Sequence, residues 1–458
     1  MKKIYCIVVL VVALLCGCDS FLDVTPKGML IPEKVQDFDE LMGDPVNVSG
    51  AYALVDMCSD NVVIPDDYLT YYITTDKGKA YTWQEEFYKA EEDDGVWNGA
   101  YEVIYTCNLV IQETPGAKDG SDAYKAQVMA EAKINRAYYY WFLHSCYAPA
   151  YDPETAGTDL SVPLVLEPDL EAKVSRATSD KVVAQILEDL KKEVIMDLPL
   201  ESASEYHIPR MAAYGLAARV NLFFGNYDAA LENAEEALKF NSKLLDYDTL
   251  YFYDESNPYE GVANRPLPEY SPEMIMYRSA NYSSILSSSL MSPELLEVFD
   301  TEIDLRYKLN FTTLKWDGTP SEEPYPTIIS DCDYSIGVPE MMLIKAECLA
   351  RKNDPGALDV LNMLRKKRIA ADKYTDLPRV SGDKLLQVVL EERQRELAFN
   401  GVRFFDMKRL AKEGIYTRTL TRRFGETTYT LEPNSNRYMF PIAAKVRLLN
   451  NNIVQNPR

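Results

Sequence analysis

Residues 211–240 read MAAYGLAARVNLFFGNYDAALENAEEALKF and contain two apolar runs of helical period separated by a short turn. The spacing predicts two helices, Met211–Phe224 and Tyr227–Phe240. Gly225 permits a tight turn between them, because glycine adopts backbone angles that side chains disfavour. Small residues on the second helix allow the two helices to approach closely: Ala230 and Ala237. The segment is therefore predicted to be a helical hairpin.

This hairpin matches the tetratricopeptide pattern around its turn and second helix, with Gly225-Asn226-Tyr227, then Ala230, then Ala237-Leu238. The segments Pro339–Arg351 and Gly356–Ala371 repeat the arrangement more loosely. Further amphipathic helices are predicted over 96–112, 124–147, 179–198 and 384–399. We therefore predict a mainly α fold, built on a tetratricopeptide-like helical-repeat scaffold.

Residues 241–335 interrupt the helical rhythm, since they are rich in Pro, Ser, Asn and Tyr. We predict a loop-rich insertion packed on the helices, which is where binding residues concentrate. Residues 19–80 show no sustained helical period either, which predicts an extended arm and loops with short helices. We expect four segments: 1–17, 18–240, the insertion 241–335 and a C-terminal helical region 336–458, with 18–458 forming one compact fold.

The composition narrows the classes of function. Of 458 residues, 47% are hydrophobic and 26% are charged, and the formal net charge is −23. This apolar fraction is typical of a globular protein, and the acidic excess argues against a nucleic-acid partner. Only His144 and His207 are available for histidine chemistry, which leaves little room for a multi-histidine metal site. With 32 tyrosines, the chain resembles a binding protein more than a catalyst.

The first residues predict export. Lys2-Lys3 precedes the apolar run Ile4–Leu15, which is too short to span a bilayer and is typical of a signal peptide. Leu15-Cys16-Gly17-Cys18 then matches a bacterial lipobox, in which small residues precede the cysteine that receives the lipid. We predict a lipoprotein signal peptide over 1–17 and lipidation of Cys18, so that acyl chains anchor the protein to a membrane. The alternative is an ordinary secretory signal with incidental cysteines.

Five cysteines remain in the predicted mature chain: Cys58, Cys107, Cys146, Cys332 and Cys348. Their spacing fits neither a CxxC pair nor a zinc knuckle, so we predict no metal site. Since the number is odd, at least one thiol is unpaired within the monomer, and we interpret most of them as buried small hydrophobes. We predict no cofactor. Whether the protein binds calcium is not decided by the sequence.

Four groups of residues occur in the order found in one family of bacterial lipoproteins. They are Cys18-Asp-Ser-Phe-Leu-Asp-x-x-Pro26, Ala130-Glu-Ala-x-x-x-Arg-Ala-Tyr-Tyr-Tyr140, Glu392-Arg-x-x-Glu-Leu-Ala-Phe-x-Gly-x-Arg-Phe-Phe-Asp-x-x-Arg409, and Pro441-Ile442 with Gln455-Asn-Pro457. On these motifs, with the central helical pair, the sequence resembles the SusD/RagB family of outer-membrane nutrient-binding lipoproteins. It departs from the family pattern at three positions: Asn400, Leu410 and Ala443.

The resemblance implies a superhelix of tetratricopeptide-like pairs with a loop-rich remainder packed on it. It implies a non-enzymatic, lipid-anchored protein at the cell surface of the outer membrane. Such a protein is a lid on a SusC-like TonB-dependent transporter, and it captures a nutrient oligosaccharide or a peptide for import.

Two aromatic-rich, loop-like segments are predicted to bind the ligand, because members of the family bind between an early loop and a later insertion. Aromatic rings stack on the C–H faces of sugars, while Asn, Asp and Arg bind the hydroxyls. The early segment offers Asn61, Tyr68, Tyr71, Tyr72 and Tyr81. The later segment offers Asn281, Tyr282, Trp316, Asp331 and Tyr334. By contrast, we predict that Trp83, Trp97 and Tyr138–Tyr140 belong to the core or the helical scaffold.

Three alternatives remain open. In the first, the same scaffold binds peptides. In the second, the protein is a helical-repeat protein-interaction lipoprotein without a small ligand. In the third, the protein is a surface glycosidase with Glu392 and Glu396 as its acid–base pair. The structural interpretation of that pair is that like charges four residues apart need cations nearby. Three arginines are available in the sequence: Arg393, Arg403 and Arg409. Glu391 and Arg395 have the spacing of a favourable ion pair.

Overall fold

The computed structural model describes residues 32–49, 51–52, 54–169, 171–281, 289–315, 317–326 and 332–458. The predicted signal peptide and the predicted lipidation site, Cys18, lie outside these ranges. Within them, no helix combines the length and the apolar character that a membrane span requires.

The helices, in chain order, are α1 Val35–Met42, α2 Val46–Ser49, α3 Leu54–Cys58, α4 Asp66–Tyr72, α5 Asp76–Tyr81, α6 Gly95–Glu113, α7 Asp122–Tyr147, α8 Ser179–Asp189, α9 Lys192–Asp197, α10 Arg210–Phe223, α11 Tyr227–Phe240, α12 Pro293–Leu296, α13 Leu305–Asn310, α14 Val338–Arg351, α15 Gly356–Arg365, α16 Asp383–Glu396, α17 Arg403–Lys412 and α18 Ala444–Leu449. The longer helices pack pairwise, α6 on α7, α10 on α11 and α14 on α15. Because α9 packs on both α7 and α10, and α14 packs on α11, the pairs form one continuous stack. The predicted mainly α, helical-repeat fold is confirmed.

The strands are short: β1 Ala51–Tyr52, β2 Val62–Val63, β3 Met274–Met276, β4 Ser279–Asn281, β5 Leu290–Met291, β6 Phe311–Leu314, β7 Pro320–Pro326, β8 Cys332–Asp333, β9 Ile336–Gly337, β10 Leu420–Phe424 and β11 Thr427–Leu431. Strands β1, β4 and β8 form a three-stranded sheet, and the others pair as β2–β5, β3–β9, β6–β7 and β10–β11. Most strands therefore belong to the insertion or join it to another segment, as expected for a loop-rich region packed on helices.

Helix α7 lies at the centre of the core. Its aromatic run Tyr138–Trp141 is at most 1% exposed, and the ring of Trp141 contacts those of Phe223 and Phe405 from α10 and α17. Trp83 and Trp97 are also buried. The prediction that these residues serve the core and the scaffold is confirmed.

Three predicted helices end earlier than their periodicity indicates. The predicted helix over 179–198 is two helices, because Lys191 is extended after Asp189 has formed a buried ion pair with Arg136 of α7 at 2.8 Å. The helix predicted to reach Ala371 ends at Arg365, since Arg368 turns inward to bind Glu396. Helix α16 ends at Glu396 rather than Phe399, which has a positive φ of 63°.

Four of the mature cysteines are buried free thiols: Cys58, Cys107, Cys146 and Cys348. The prediction that most of them act as small hydrophobes is confirmed. Burial raises the pKa of the Cys58, Cys107 and Cys348 thiols to about 12, so these side chains are neutral at physiological pH. The side chain of Cys332 lies outside the described residues.

Candidate functional site

The early aromatic cluster lies on helix α4. Asp66 and Asp67 occupy its first turn, where acidic side chains interact favourably with the helix dipole. Leu69 is fully buried and fastens the helix to the core, while Tyr71 is 77% exposed. Tyr68 and Tyr72 are half-buried and pack against the core. Residues three and four apart share one helix face, so Tyr68, Tyr71 and Tyr72 present neighbouring rings.

Two strand pairs join the early segment to the insertion. In the first, Val62 of β2 is opposite Met291 of β5, and the backbone N–H of Ser292 donates to the carbonyl of Asn61 at 3.0 Å. In the second, Tyr52 of β1 is opposite Asn281 of β4. Only two residues separate β2 from α4, so this strand pair also brings the beginning of α4 close to β5 of the insertion.

Three of the predicted ligand-binding side chains are engaged inside the protein. Asn61 accepts a 3.1 Å hydrogen bond from Gln394. The hydroxyl of Tyr81 accepts one from the Ile64 N–H at 3.0 Å. Tyr334 donates to Asp56 at 2.8 Å. Each of the three is at most 3% exposed, so among the predicted ligand-binding aromatics whose side chains are described, only Tyr68, Tyr71 and Tyr72 reach the surface.

The remaining predicted residues come from the insertion. Tyr282, Trp316 and Asp331 lie outside the described residues, and of Asn281 only the backbone is described, in the strand beside Tyr52. Their part in ligand binding stays a prediction.

Glu392 and Glu396 are buried and neutralised by arginines. Arg306 contacts both carboxylates at 2.7 Å, Arg365 and Arg395 contact Glu392, and Arg368 contacts Glu396. These cations hold the pKa of both carboxyls below the ordinary value despite burial. A general acid must be protonated at working pH, so this pair stabilises the fold and is unsuited to glycoside cleavage.

The cations that neutralise this pair differ from those predicted. The predicted arginines have other partners: Arg393 with Asp406, Arg403 with Asp60 and Arg409 with Glu347. The predicted pair of Glu391 and Arg395 is also wrong, because Arg395 contacts Glu392 and Glu391 accepts from Gln387.

One cluster has the composition of a metal site: Asp39, Glu131 and His207, whose ligating atoms lie within 4.8 Å of one another. Internal donors already occupy these acids. Glu131 accepts from His207 at 3.1 Å and from the Ile208 N–H at 3.0 Å, and Asp39 accepts from the Tyr124 hydroxyl at 2.8 Å. We interpret the cluster as a bridge that fastens α1 and the 201–209 loop to α7.

Comparisons with known proteins agree with this architecture. A family model described as "Starch-binding associating with outer membrane" matches residues 20–222, and one described as "SusD family" matches residues 330–458. SusD-like protein P38 of Formosa agariphila is 22% identical over 389 residues, which are 69% of this chain and 72% of that protein.

Solved structures match over nearly the whole chain. A SusD superfamily protein from Bacteroides thetaiotaomicron has a TM-score of 0.71 at 19% identity, covering 93% of this chain and 100% of that one. Surface glycan-binding protein A from Bacteroides uniformis has a TM-score of 0.68 at 18% identity, covering 92% and 98%. At these identities the likeness establishes the fold.

Proposed function

Since the chain belongs to the SusD/RagB family, we propose that it is a non-enzymatic lipoprotein of the outer-membrane surface that binds a nutrient oligosaccharide. Lipidation of Cys18 anchors it, and it delivers its ligand to a SusC-like TonB-dependent transporter. The family description "Starch-binding associating with outer membrane" supports both the ligand class and the membrane. The glycan-binding protein of the same fold supports the ligand class.

The exposed ring of Tyr71 is the observation that carries the proposal. It is 77% exposed on a helix that Leu69 holds against the core, so the backbone that carries the ring is fixed before the ligand arrives. A preorganised aromatic ring loses little freedom when a sugar stacks on it. Tyr68 and Tyr72 extend the stacking face. From the insertion, the rings of Tyr282 and Trp316 add stacking surface, and Asn281 and Asp331 bind the hydroxyls.

Glycan and peptide screens on the purified chain from residue 19, which keeps every described residue, test the ligand class. We expect selective binding of a neutral oligosaccharide with an affinity that added salt leaves unchanged. Binding of basic peptides that weakens steeply with salt would instead support the peptide alternative, because exposed charges are screened. If no glycan or peptide raises the melting temperature while the transporter still co-purifies, the chain is an interaction lipoprotein.

Three substitutions test the binding surface: Tyr71→Ala, Tyr72→Ala and Trp316→Ala. For each, the affinity for the selected glycan should fall about tenfold, the factor that corresponds to roughly 1.4 kcal/mol. Tyr251→Ala is the matched control, since Tyr251 is 57% exposed and lies in another part of the insertion. Parent-like affinity in all three variants would show that this surface is not the site.

Cell fractionation tests the anchor and the partner. Cys18→Ala should move the protein from the outer-membrane fraction to the soluble fraction, and it should remove the surface label that intact cells otherwise display. The parent should co-purify with a TonB-dependent transporter from detergent-solubilised membranes. Retention of the Cys18→Ala chain in the membrane without that transporter would contradict the lipid anchor.

A further inference from the structure

A cleft of about 540 Å³ opens within the insertion. Residues of 245–274 form one wall, and the other consists of residues 333–340 with the end of α16 and the segment that follows it, 396–400. No residue of the early segment, 54–83, lines it, so it is separate from the α4 surface. Its volume falls within the range of small-molecule sites, roughly 300–1,000 Å³.

Tyrosines form one wall of this cleft. Tyr253 is 69% exposed, yet its backbone is fixed, because its N–H donates to the carbonyl of Gly261 at 3.1 Å and the neighbouring Phe252 is buried and bridged to Val262. Tyr259 and Tyr247 line the cleft as well. An exposed ring on a fixed backbone can stack on the C–H face of a sugar.

Two polar atoms of the lining are buried and have no hydrogen-bond partner among the described residues: Nε of Arg265 and Oδ1 of Asn400. The other ends of both side chains are fixed, since Arg265 donates to Asn310 at 2.8 Å and Asn400 donates to the carbonyl of Asp333 at 2.7 Å. An unpaired buried polar group destabilises a protein, so its presence in a cleft calls for an explanation. Neither atom is accessible to solvent, so a ligand can pair with it only if the side chain turns towards the cleft; one donor and one acceptor together would then match hydroxyl groups, which both donate and accept.

The charges of the lining favour a neutral ligand. Three of its acids are paired with arginines: Glu273 and Glu396 with Arg368, and Glu340 with Arg219. Asp333 and Glu260 form no ion pair within the described part of the chain, and neither does the one lining arginine, Arg265. With two unpaired acids against one cation, the cleft does not attract anions such as phosphates or uronates.

We propose that this cleft is a second binding site for a neutral oligosaccharide, in which Tyr253 stacks on a sugar ring while Asn400 and Arg265 bind its hydroxyls. The inference rests on the proposed function, because both sites take the same class of ligand. Two sites on one chain would let a long glycan bind at both and dissociate more slowly than from either alone.

Titration calorimetry with three neutral glucans, laminarihexaose, cellohexaose and maltohexaose, tests the inference on the chain from residue 19. We expect at least one glucan to bind at two sites. Tyr253→Ala should weaken one site about tenfold and leave the other unchanged, whereas Tyr253→Phe, which keeps the ring, should bind like the parent. Tyr251→Ala is the control, since Tyr251 lies two residues away, is exposed and does not line the cleft.

The outcomes separate the two proposals. A single site that Tyr71→Ala weakens and Tyr253→Ala leaves intact would overturn the second site and leave the proposed function standing. A single site lost in Tyr253→Ala and kept in Tyr71→Ala would support the cleft and overturn the α4 surface. Failure of all three glucans to bind would overturn the second site as a site for neutral glucans, while the wider glycan screen still decides the proposed function.

Discussion

The hydroxyl of Tyr334 donates a 2.8 Å hydrogen bond to Oδ2 of Asp56, a residue 278 positions earlier. The other carboxylate oxygen of Asp56 accepts from the N–H of Gly401 at 3.1 Å. One buried carboxyl therefore connects the early segment, the end of the insertion and the turn between α16 and α17. Burial raises its pKa to about 6, and the two donors partly offset that effect.

Gly401→Ala is expected to destabilise the protein strongly. Gly401 has a φ of +75°, and an added Cβ would lie 2.5 Å from the ring of Tyr334. Gly414→Ala is the matched control, since its φ is +72° and nothing lies within 4 Å of its Cβ position. We expect a loss of about 1 kcal/mol for the control, from backbone strain alone, and at least twice that for Gly401→Ala. Equal losses in chemical denaturation would contradict the contact with Tyr334.

His144 is expected to make the protein sensitive to acid. Burial lowers its pKa from 6.5 to about 3. Between these two pH values, His144 therefore binds a proton in the unfolded chain but not in the folded chain. The contribution of neutral His144 to the free energy of unfolding is fully present above pH 6.5, and it is lost as the pH falls from 6.5 towards 3. Between pH 7 and pH 5 the parent should lose about 2 kcal/mol more than His144→Gln. Parallel unfolding free energies for the two proteins would rule this out.

Arg306→Met is expected to cost about 3–5 kcal/mol, because it leaves buried carboxylates without their shared cation. Arg306 is 1% exposed and contacts Glu392, Glu396 and Asp304, each at 2.7 Å. The control is Arg418→Met, which removes an exposed contact to Glu297 at 3.3 Å and should cost at most about 1 kcal/mol. Urea denaturation measures the unfolding free energy of both variants. Similar losses of unfolding free energy in the two variants would contradict the prediction, because they would mean that solvent screens the carboxylates around Arg306.

The four described free thiols should resist alkylation in the folded protein. Cys58, Cys107, Cys146 and Cys348 are buried, and burial raises the pKa of each thiol, so little thiolate forms. Iodoacetamide at pH 8 followed by peptide mass spectrometry should find them unmodified, and addition of denaturant should make all four reactive. Rapid labelling of any one in the native state would contradict its burial.

Helical periodicity predicted most of the scaffold, because the apolar residues that define the period are those the core buries. It could not predict the early ends of α8, α15 and α16, since each follows from an ion pair or a turn made with distant residues. The break at Lys191, for example, follows the contact of Asp189 with Arg136. The hairpin β10–β11 was missed, although Gly425 with its positive φ of 57° marks its turn.

The burial of the candidate binding residues was predicted less completely than the scaffold. Tyr71 and Tyr81 lie in similar polar, aromatic-rich sequence, yet one is exposed and the other is buried. Tyr81 belongs to the main core and is covered by Arg422, whose guanidinium lies 3.8 Å from the ring centroid of Tyr81 and donates to its backbone carbonyl. That contact spans 341 residues, so no local window of sequence contains it. The cations around Glu392 were misassigned for the same reason.

The strand pair β2–β5 has a consequence for when the binding surface forms. Val62 pairs with Met291 across these strands. The carboxylate of Asp56 accepts its hydrogen bond from Gly401, which lies 345 residues later in the chain. Contacts of such long sequence separation form slowly, because a long loop must close before they contribute. The early segment, 54–83, therefore completes its structure only when residues near the end of the chain arrive. In the proposed lipoprotein, a truncated chain would carry the lipid at Cys18 without displaying the proposed tyrosine face, so the ability to bind ligand would arise only after the C-terminal third has folded.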